Sequence, residues 1–372
     1  MAATVRHGSV TRAARAVNLT QPALTQVIAR LERDLSCMLF QRGPGGMTPT
    51  EPAMLLAPRV EAAIALIGSP RVTGTQMRAF LALARAGSYA AAEQVTALSS
   101  ASLHRAVGDL SIVLGQRLTE RRGRSVFLTT AGQRRARAFG LAMAELRAGF
   151  DELNAWQGQR AGRLVVGAMP LSRAHWLPQT ILRFCSAHPG VAVAVVEGSY
   201  GELAGPLRDG EIDLVLGALR DPGSLVDVMQ EAVFTDRPAV IMRQGHALAE
   251  CERPDGAALT RYPWILPSRD APLRRYWETM MRTAGFEPPR VDIECGSVLT
   301  VRQLLVGSDA LTLLSPAQLA VELADGLLVA RQPPVVVART IGLLRRTDWR
   351  PTAAQQAFLD VLRAVGQEHP FA

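Results

Sequence analysis

A repeat of 79 residues near the start of the chain is the feature that most constrains its fold. When the sequence is compared with itself at this offset, residues 8–42 contain nine identities without a gap, and most of them are apolar. They are Gly8 and Gly87, Ser9 and Ser88, Ala13 and Ala92, Leu19 and Leu98, Leu24 and Leu103, Leu31 and Leu110, Leu35 and Leu114, Leu39 and Leu118, and Arg42 and Arg121. Because matching apolar positions specify matching cores, the sequence predicts one structural unit that occurs twice.

The first copy is predicted to contain a helix-turn-helix. A short helix from about residue 10 to 17 and a turn at Asn18 precede a longer helix, for which Thr20 is a suitable N-cap and Pro22 suits the first turn. Helical spacing then predicts one buried stripe of apolar residues. These are Leu24, Val27, Ile28 and Leu31.

The second copy has a corresponding stripe of Leu103, Val107 and Leu110. Each copy continues into a predicted β-wing, "LFQRGPGGMTPTEPA" from residue 39 and "LTERRGRSVFLTTAG" from residue 118, where Gly and Pro supply the turns. A long one-sided helix from 133 to 157 follows the second wing, and we expect it to pack against a partner. The first copy has only a shortened counterpart, from about 53 to 67.

Charge is distributed unevenly along the chain. Residues 1–150 contain 19 arginines and 8 acidic residues, a net charge of +11, whereas the other 222 residues contain 22 arginines and 25 acidic residues, a net charge of −3. This asymmetry favours a front part that binds a polyanion and a nearly neutral rear part. From about residue 163, short β-branched runs alternate with helical segments, which predicts an α/β domain with two lobes.

The segment "GSVTRAARAVNLTQPALTQVIARLERDLSCMLFQR" resembles the winged helix-turn-helix of LysR-type transcriptional regulators, and the resemblance extends over nearly the whole chain. Thr20, Gln21, Pro22 and Ala23 occupy the start of the family's recognition helix. The resemblance implies a multidomain fold: two all-α winged helix-turn-helix domains and a linker helix, followed by a two-lobed α/β effector domain similar to periplasmic binding proteins. Family members usually have one DNA-binding domain, so the second copy is a departure.

The expected boundaries follow from these segments. The first winged domain covers 1–68, shortened in its opening helix, the second covers 72–132, and the linker helix covers 133–158. The effector domain covers 163–372, with lobe I at 163–245 and 330–365 and lobe II at 246–329.

Candidate DNA-binding residues lie on the exposed faces of the two reading helices and in the wings. They are Gln21, Pro22, Thr25, Gln26, Arg30, Arg33, Arg42, Ser100, His104, Arg105, Arg121, Arg122 and Arg124. Because base edges carry sequence information and phosphates carry salt-dependent affinity, we expect the first copy to supply more specificity and the second copy more general affinity.

Candidate effector-binding residues lie in turns after strands, where helix N-termini expose N–H groups. They are Leu171, Ser172, Ser268, Arg269, Gly296 and Ser297. Arg269 favours a small anionic effector, although each of these serines could instead be a helix cap. Cys295, beside one turn, could sense oxidants or be a buried structural thiol.

The sequence predicts a cytoplasmic regulator rather than an enzyme, because it lacks the common catalytic and nucleotide-binding motifs and its histidines and cysteines lack metal-ligand spacing. No cofactor, catalytic residue, metal or membrane segment is expected. The expected partners are double-stranded promoter DNA, a small-molecule effector and further copies of the chain, as a dimer or tetramer through the linker helix, with RNA polymerase as a further candidate. One alternative remains: a cytoplasmic ligand-binding protein in which one or both helix-turn-helix copies serve protein association.

Overall fold

The structure, a computed structural model, describes residues 1–43, 46–123, 125–159, 162–220 and 227–368. The first copy consists of α1 (Ala2–His7), α2 (Val10–Ala16), α3 (Gln21–Asp34), β1 (Phe40–Gly43), β2 (Gly46–Pro49) and α4 (Glu51–Ile67). The second consists of α5 (Gly74–Ala86), α6 (Tyr89–Gln94), α7 (Ser100–Leu114), β3 (Thr119–Arg122), β4 (Ser125–Leu128) and α8 (Thr130–Trp156).

The two copies agree element by element at the offset of 79. Helices α3 and α7, strands β1 and β3, and helices α4 and α8 each begin 79 residues apart. Even single hydrogen bonds recur: the Thr50 hydroxyl donates to the Met38 carbonyl at 2.7 Å, and the Thr129 hydroxyl donates to the Arg117 carbonyl at 2.7 Å. The repeated apolar pattern therefore encodes one repeated tertiary unit.

The buried stripe of α3 is narrower than the sequence predicted. Leu24 and Ile28 are buried in the first copy's core and Leu31 is half-buried, but Val27 is 54% exposed. At 100° per residue, Val27 lies at the edge of the stripe, so its side chain faces solvent. In α7 the corresponding stripe of Leu103, Val107 and Leu110 is fully buried.

Helix α8 packs along α4 of the same chain. It begins at Thr130 rather than at the expected 133, because the Thr129 hydroxyl accepts a hydrogen bond from the Gly132 N–H at 3.0 Å and caps the helix there. Helix α4 runs through Pro58 without ending. The partner predicted for the one-sided helix is thus the shortened helix of the first copy.

The rear domain continues with alternating strands and helices. Its elements are β5 (Arg163–Ala168), α9 (Trp176–Ala187), β6 (Ala192–Glu197), α10 (Tyr200–Arg208), β7 (Leu214–Ala218), β8 (Val228–Asp236), β9 (Ala239–Arg243), α11 (Gly256–Leu259), β10 (Ile265–Leu266), α12 (Pro272–Thr283), β11 (Ile293–Glu294), α13 (Val298–Val306), β12 (Thr312–Leu314), α14 (Ala320–Ala324), β13 (Leu328–Arg331), β14 (Arg339–Arg346) and α15 (Ala353–Gln367). Short 3₁₀ segments at Pro170–Arg173 and Pro316–Leu319 follow β5 and β12.

The described strands divide between two lobes. Lobe I has a sheet in the order β6-β5-β7-β14-β8, in which β5, β6 and β7 are parallel. Lobe II has a sheet in the order β12-β9-β13, with a parallel β10-β11 pair beside it that joins β12 through a bridge between Trp264 and Leu311. Each lobe has its own buried core, which contains Trp176 and Phe358 in lobe I and Trp264 and Trp277 in lobe II.

The lobe boundaries differ from those expected. Strand β9 pairs with β12 and β13 of lobe II, so the chain crosses between Asp236 and Ala239 rather than at 245. Strand β13 also belongs to lobe II, and the return crossing lies between Arg331 and Arg339 rather than at 330. Sequence periodicity locates strands, but sheet membership depends on pairing partners far away in the chain. Across the described ranges, we find no helix with both the length and the apolar character needed to span a membrane.

Candidate nucleic-acid interface and effector site

The reading helix of the first copy is fixed at both ends. The Thr20 hydroxyl accepts a hydrogen bond from the Ala23 N–H at 3.3 Å, which caps α3. Near the other end, the Glu32 carboxylate accepts from the N–H groups of Leu39 and Phe40 at 2.8 and 3.1 Å. Because these residues lead into the wing, the carboxylate holds helix and wing in one relative orientation.

The outer face of α3 presents polar and basic side chains. Gln21, Pro22, Gln26, Arg30 and Arg33 are exposed, as the sequence predicted for a reading face. The Gln21 amide oxygen accepts from the Thr11 hydroxyl at 3.1 Å, so α2 orients this side chain.

Two other candidates of the first copy are less accessible or less defined. Thr25 is half-buried, and its hydroxyl donates to the Gln21 carbonyl at 2.9 Å. Arg42 lies on β1, but the part of the structure that is described does not include its side chain. Asp34, at the end of α3, lies 3.9 Å from Arg30. Both side chains are exposed, so this ion pair is weak.

The outer face of α7 differs from that of α3 at equivalent positions. Thr25 corresponds to His104, Gln26 to Arg105, Arg30 to Asp109 and Arg33 to Ile112, which is 79% exposed. The His104 ring packs on Tyr89 with their centroids 5.1 Å apart. Ser100, the first residue of α7, is half-buried. The second copy therefore presents less positive charge on its helix than the first.

The wing of the second copy carries exposed arginines. Arg121 and Arg122 are exposed beside Gly123, which turns the chain with a φ of +64°. Arg122 contacts Glu120 at 2.6 Å and lies 5.6 Å from the Phe127 ring centroid, so its charge is partly neutralised. Arg124 is outside the described residues, as are positions 44 and 45, which separate β1 from β2 in the sequence.

Two of the predicted effector-binding residues are buried in lobe I. Leu171 and Ser172 lie in the 3₁₀ segment after β5, and Ser172 is fully buried. Its hydroxyl donates to the carbonyls of Met169 and Leu216, at 2.8 and 3.3 Å. In this conformation the hydroxyl joins two strand ends and is not exposed to a ligand.

The other four predicted residues lie together at one edge of lobe II. Because β10 and β11 are parallel, the turns that follow them share this edge, which brings Ser268 and Arg269 near Gly296 and Ser297. All four are exposed. Arg269 approaches Glu294 only at 3.9 Å with its side chain 83% exposed, and Ser297 caps α13 by accepting from the Thr300 N–H. Cys295 is half-buried, and its thiol lies 3.6 Å from the Ser297 carbonyl.

Sequence reasoning missed three polar side chains that follow β6, β7 and β12. Tyr200 begins α10, Arg220 follows β7, and Ser315 follows β12. Within the described residues, the Tyr200 hydroxyl, the Arg220 Nε and the Ser315 hydroxyl are buried without a hydrogen-bond partner. Buried polar groups are normally paired, so these three atoms are candidate contacts for a ligand or an ordered water. Of these three residues, only Arg220 has a sequence signal that could have revealed it: it is an arginine that closely follows an apolar strand.

Arg220 is the most unusual of these groups. Its guanidinium carbon lies 4.4 Å from the Tyr200 ring centroid, and its main chain exchanges hydrogen bonds with the Gln230 side chain. Burial is the main cause that lowers the pKa of Arg220; its interaction with Tyr200 raises the pKa, and the positive charge of Arg275 on α12 lowers it. Arg275 belongs to lobe II, so one of the charges that act on Arg220 comes from the other lobe.

Two family models match the chain, one in its rear part and one in its front part. The model of the LysR substrate binding domain matches residues 157–367. The model of the bacterial regulatory helix-turn-helix of the lysR family matches two segments, 1–54 and 75–133. The chain belongs to the LysR family of transcriptional regulators. The double match of the second model agrees with the repeated tertiary unit.

Individual relatives of this LysR-type regulator differ in how much of the chain they share. The HTH-type transcriptional regulator GalR of Pseudomonas putida is 33% identical over 374 residues, which cover 96% of this chain and 94% of the relative. The HTH-type transcriptional regulator PcaQ of Agrobacterium fabrum is 28% identical and covers 80% of this chain and 96% of the relative. GalR thus matches the full two-copy chain, whereas PcaQ leaves about a fifth of it unmatched.

Solved structures show the same fold. A full-length variant of OxyR from Pseudomonas aeruginosa superimposes with a TM-score of 0.60 at 21% identity, covering 81% of this chain and 96% of the other. CbnR, a LysR family regulator, superimposes with a TM-score of 0.56 at 20% identity, covering 78% of this chain and 98% of the other. Because its relatives are transcriptional regulators, this LysR-type chain is a DNA-binding regulator controlled through its rear domain, and not an enzyme. Regulators of this kind bind promoter DNA and a small-molecule effector, and they self-associate.

Proposed function

We propose that this regulator reads its operator mainly with α3 and holds the DNA backbone with the second copy and its wing. The exposed amides of Gln21 and Gln26 suit the edge of adenine, and Arg30 and Arg33 suit guanine or phosphate. Arg121 and Arg122 are exposed in the second wing, where arginines neutralise phosphates, and the exposed Arg105 on α7 can reach either a phosphate or a base edge. The net charge of +11 in residues 1–150 supports this role. The same proposal includes a cytoplasmic location, because the regulator must reach promoter DNA there.

We also propose that the effector is a small anion, such as a carboxylate, bound between the lobes. The observation that carries this proposal is the half-buried Arg220 side chain, whose Nε atom is buried and has no hydrogen-bond partner within the described residues. A buried charge is costly unless it is paired, so the site favours a ligand of opposite charge. Arg220 therefore replaces the exposed Arg269 as the candidate anion-binding residue.

The charges across the cleft suggest how the anion acts. The charges of Arg220 in lobe I and Arg275 in lobe II have the same sign, and the repulsion between them contributes to the lowered pKa of Arg220. An anion between them replaces this repulsion with two attractions and favours one relative arrangement of the lobes. Such a ligand shifts the population of an existing equilibrium, because it binds one arrangement better than the other.

Gel shifts and footprinting on the DNA that flanks the regulator's own gene test the division of roles. The wild type is compared with Gln26→Ala combined with Arg33→Ala, and with Arg121→Ala combined with Arg122→Ala and Arg124→Ala. The first variant should lose sequence preference, and the second should retain it with a shallower dependence of affinity on salt. If neither variant changes binding, the proposed division is wrong.

A further inference from the structure

Helices α4 and α8 are equivalent parts of the repeat and pack antiparallel to each other. A Cβ atom placed on Gly149, near the end of α8, would lie 3.3 Å from the Leu56 side chain and 3.2 Å from Cβ of Arg59. At the other end of the interface, a Cβ atom on Gly68 would lie 3.1 Å from the Arg135 guanidinium. The beginning of each helix therefore meets the end of the other.

The register of this packing is the one that a two-fold axis requires. At the offset of 79, Leu56 corresponds to Arg135, and Gly149 corresponds to Pro70. A two-fold axis would therefore relate the contact of Leu56 with Gly149 to a contact of Arg135 with position 70. In the structure Arg135 lies against Gly68, two residues from that position. Reciprocal contacts between equivalent elements define a two-fold interface, here within one chain.

The interface joins the two copies into one folded unit. Leu153 of α8 is 2% exposed and belongs to the core of the first copy, where Leu24 and Leu56 also lie. Reciprocally, Ile67 of α4 packs in the core of the second copy with Phe139. Since each core contains a side chain from the other copy's helix, α3 and α7 are held in a fixed relation.

We propose that a single chain is a complete two-headed DNA reader, whose operator is an inverted repeat with two different half-sites. This inference depends on the proposed DNA-binding function. Two-fold symmetry of a reader is mirrored by inverted symmetry of its site, because each recognition element approaches its half-site in the same way. In this chain one recognition helix comes from each copy, so one chain supplies both.

The half-sites differ because the two reading faces differ. Gln26 and Arg30 of α3 correspond to Arg105 and Asp109 of α7. A glutamine favours adenine, an arginine favours guanine and an acidic side chain accepts from cytosine, so equivalent base pairs are read by different chemistry. A site formed by two separate chains through α3 alone would instead have two identical halves.

Selection of binding sites from a random duplex library with the full chain tests this inference. Two variants are selected in parallel with the wild type, Gln26→Ala with Arg30→Ala, and Arg105→Ala with Asp109→Ala. All four side chains are exposed, so unchanged melting temperatures should confirm that both variants are folded. The wild type should select inverted, non-identical half-sites. Each variant should lose discrimination only in its own half, by about 5- to 150-fold for the α3 variant and by less for the α7 variant, since the operator is read mainly with α3.

Other outcomes overturn the inference in distinguishable ways. The wild type could instead select a perfect palindrome, in which the α3 variant loses discrimination in both halves and the α7 variant in neither. That result would show that two chains bind together and that each reads DNA with α3 alone. Half-sites in direct orientation would contradict the two-fold arrangement. If the wild type enriches no sequence, DNA reading itself is wrong, and the proposed function fails together with the inference.

Discussion

Arg59 of the first copy is buried against Glu152 of the second copy's helix, with its Nη2 atom 2.6 Å from Oε1 and its Nε atom 3.3 Å from Oε2. The same guanidinium donates to Glu145 at 3.3 Å and to the Arg350 carbonyl of the effector domain at 2.9 Å. Burial alone would lower the pKa of Arg59, but its bonds to Glu152 and Glu145 raise it. One side chain thus joins both heads and the rear domain.

We expect Arg59→Ala to lower the free energy of unfolding by about 3 kcal/mol, because it leaves the half-buried Glu152 carboxylate without its arginine partner and leaves Glu145 paired with Arg350 alone. Denaturant unfolding of the full chain measures this change. Arg6→Ala is the matched control: it removes an exposed pair with Glu61 on the same helix, at 2.7 Å, and should cost less than about 1 kcal/mol. Equal effects of the two variants would contradict the role given to Arg59.

Arg220→Met should abolish the response to an anionic effector. Without effector it should raise the melting temperature slightly, because it removes a half-buried charge whose Nε atom has no hydrogen-bond partner within the described residues. Thermal shift against a panel of small carboxylates measures both effects. Arg269→Met is the control, since that side chain is 83% exposed and should change neither quantity much. A lost response in Arg269→Met with a retained response in Arg220→Met would reverse the assignment.

The two described arginines of the second wing should differ in their contribution to DNA affinity. Arg121→Ala should reduce the slope of log K against log salt by about 1, as expected for the loss of one phosphate contact. Arg122→Ala should reduce it less, because Arg122 already contacts Glu120 at 2.6 Å. Fluorescence anisotropy titrations between about 50 and 200 mM salt compare the slopes. A larger effect from Arg122 would show that DNA displaces Glu120.

Two glycines of the second copy should respond in opposite ways to alanine. A Cβ atom on Gly132 would overlap the Leu118 carbonyl oxygen, so Gly132→Ala must shift backbone and should destabilise the fold by about 1 to 3 kcal/mol. A Cβ atom on Gly108 would meet no neighbouring atom within 4 Å, and Gly108→Ala in mid-helix should stabilise by about 1 kcal/mol. Thermal unfolding distinguishes the signs, and equal signs would contradict the packing described at Gly132.

The repeat, the wings and the α/β rear domain could be predicted from sequence because apolar periodicity and turn residues are local signals. Thr20 and Ser297 could likewise be recognised as helix caps from their positions before helical segments. The packing of α4 on α8 and the membership of β9 in lobe II could not be predicted, because both depend on partners distant in the chain. Arg220 was missed for a related reason: its stacking on Tyr200 and its hydrogen bonds with Gln230 form only when separate elements of lobe I pack together.

The most direct test of the account measures binding of the full chain to labelled DNA flanking its own gene, at low ionic strength with an excess of bulk competitor DNA, with and without a panel of small carboxylates. The account predicts that the chain prefers the promoter fragment and that at least one carboxylate changes this affinity in the wild type but not in Arg220→Met. Equal affinity for promoter and competitor DNA under every condition would contradict it.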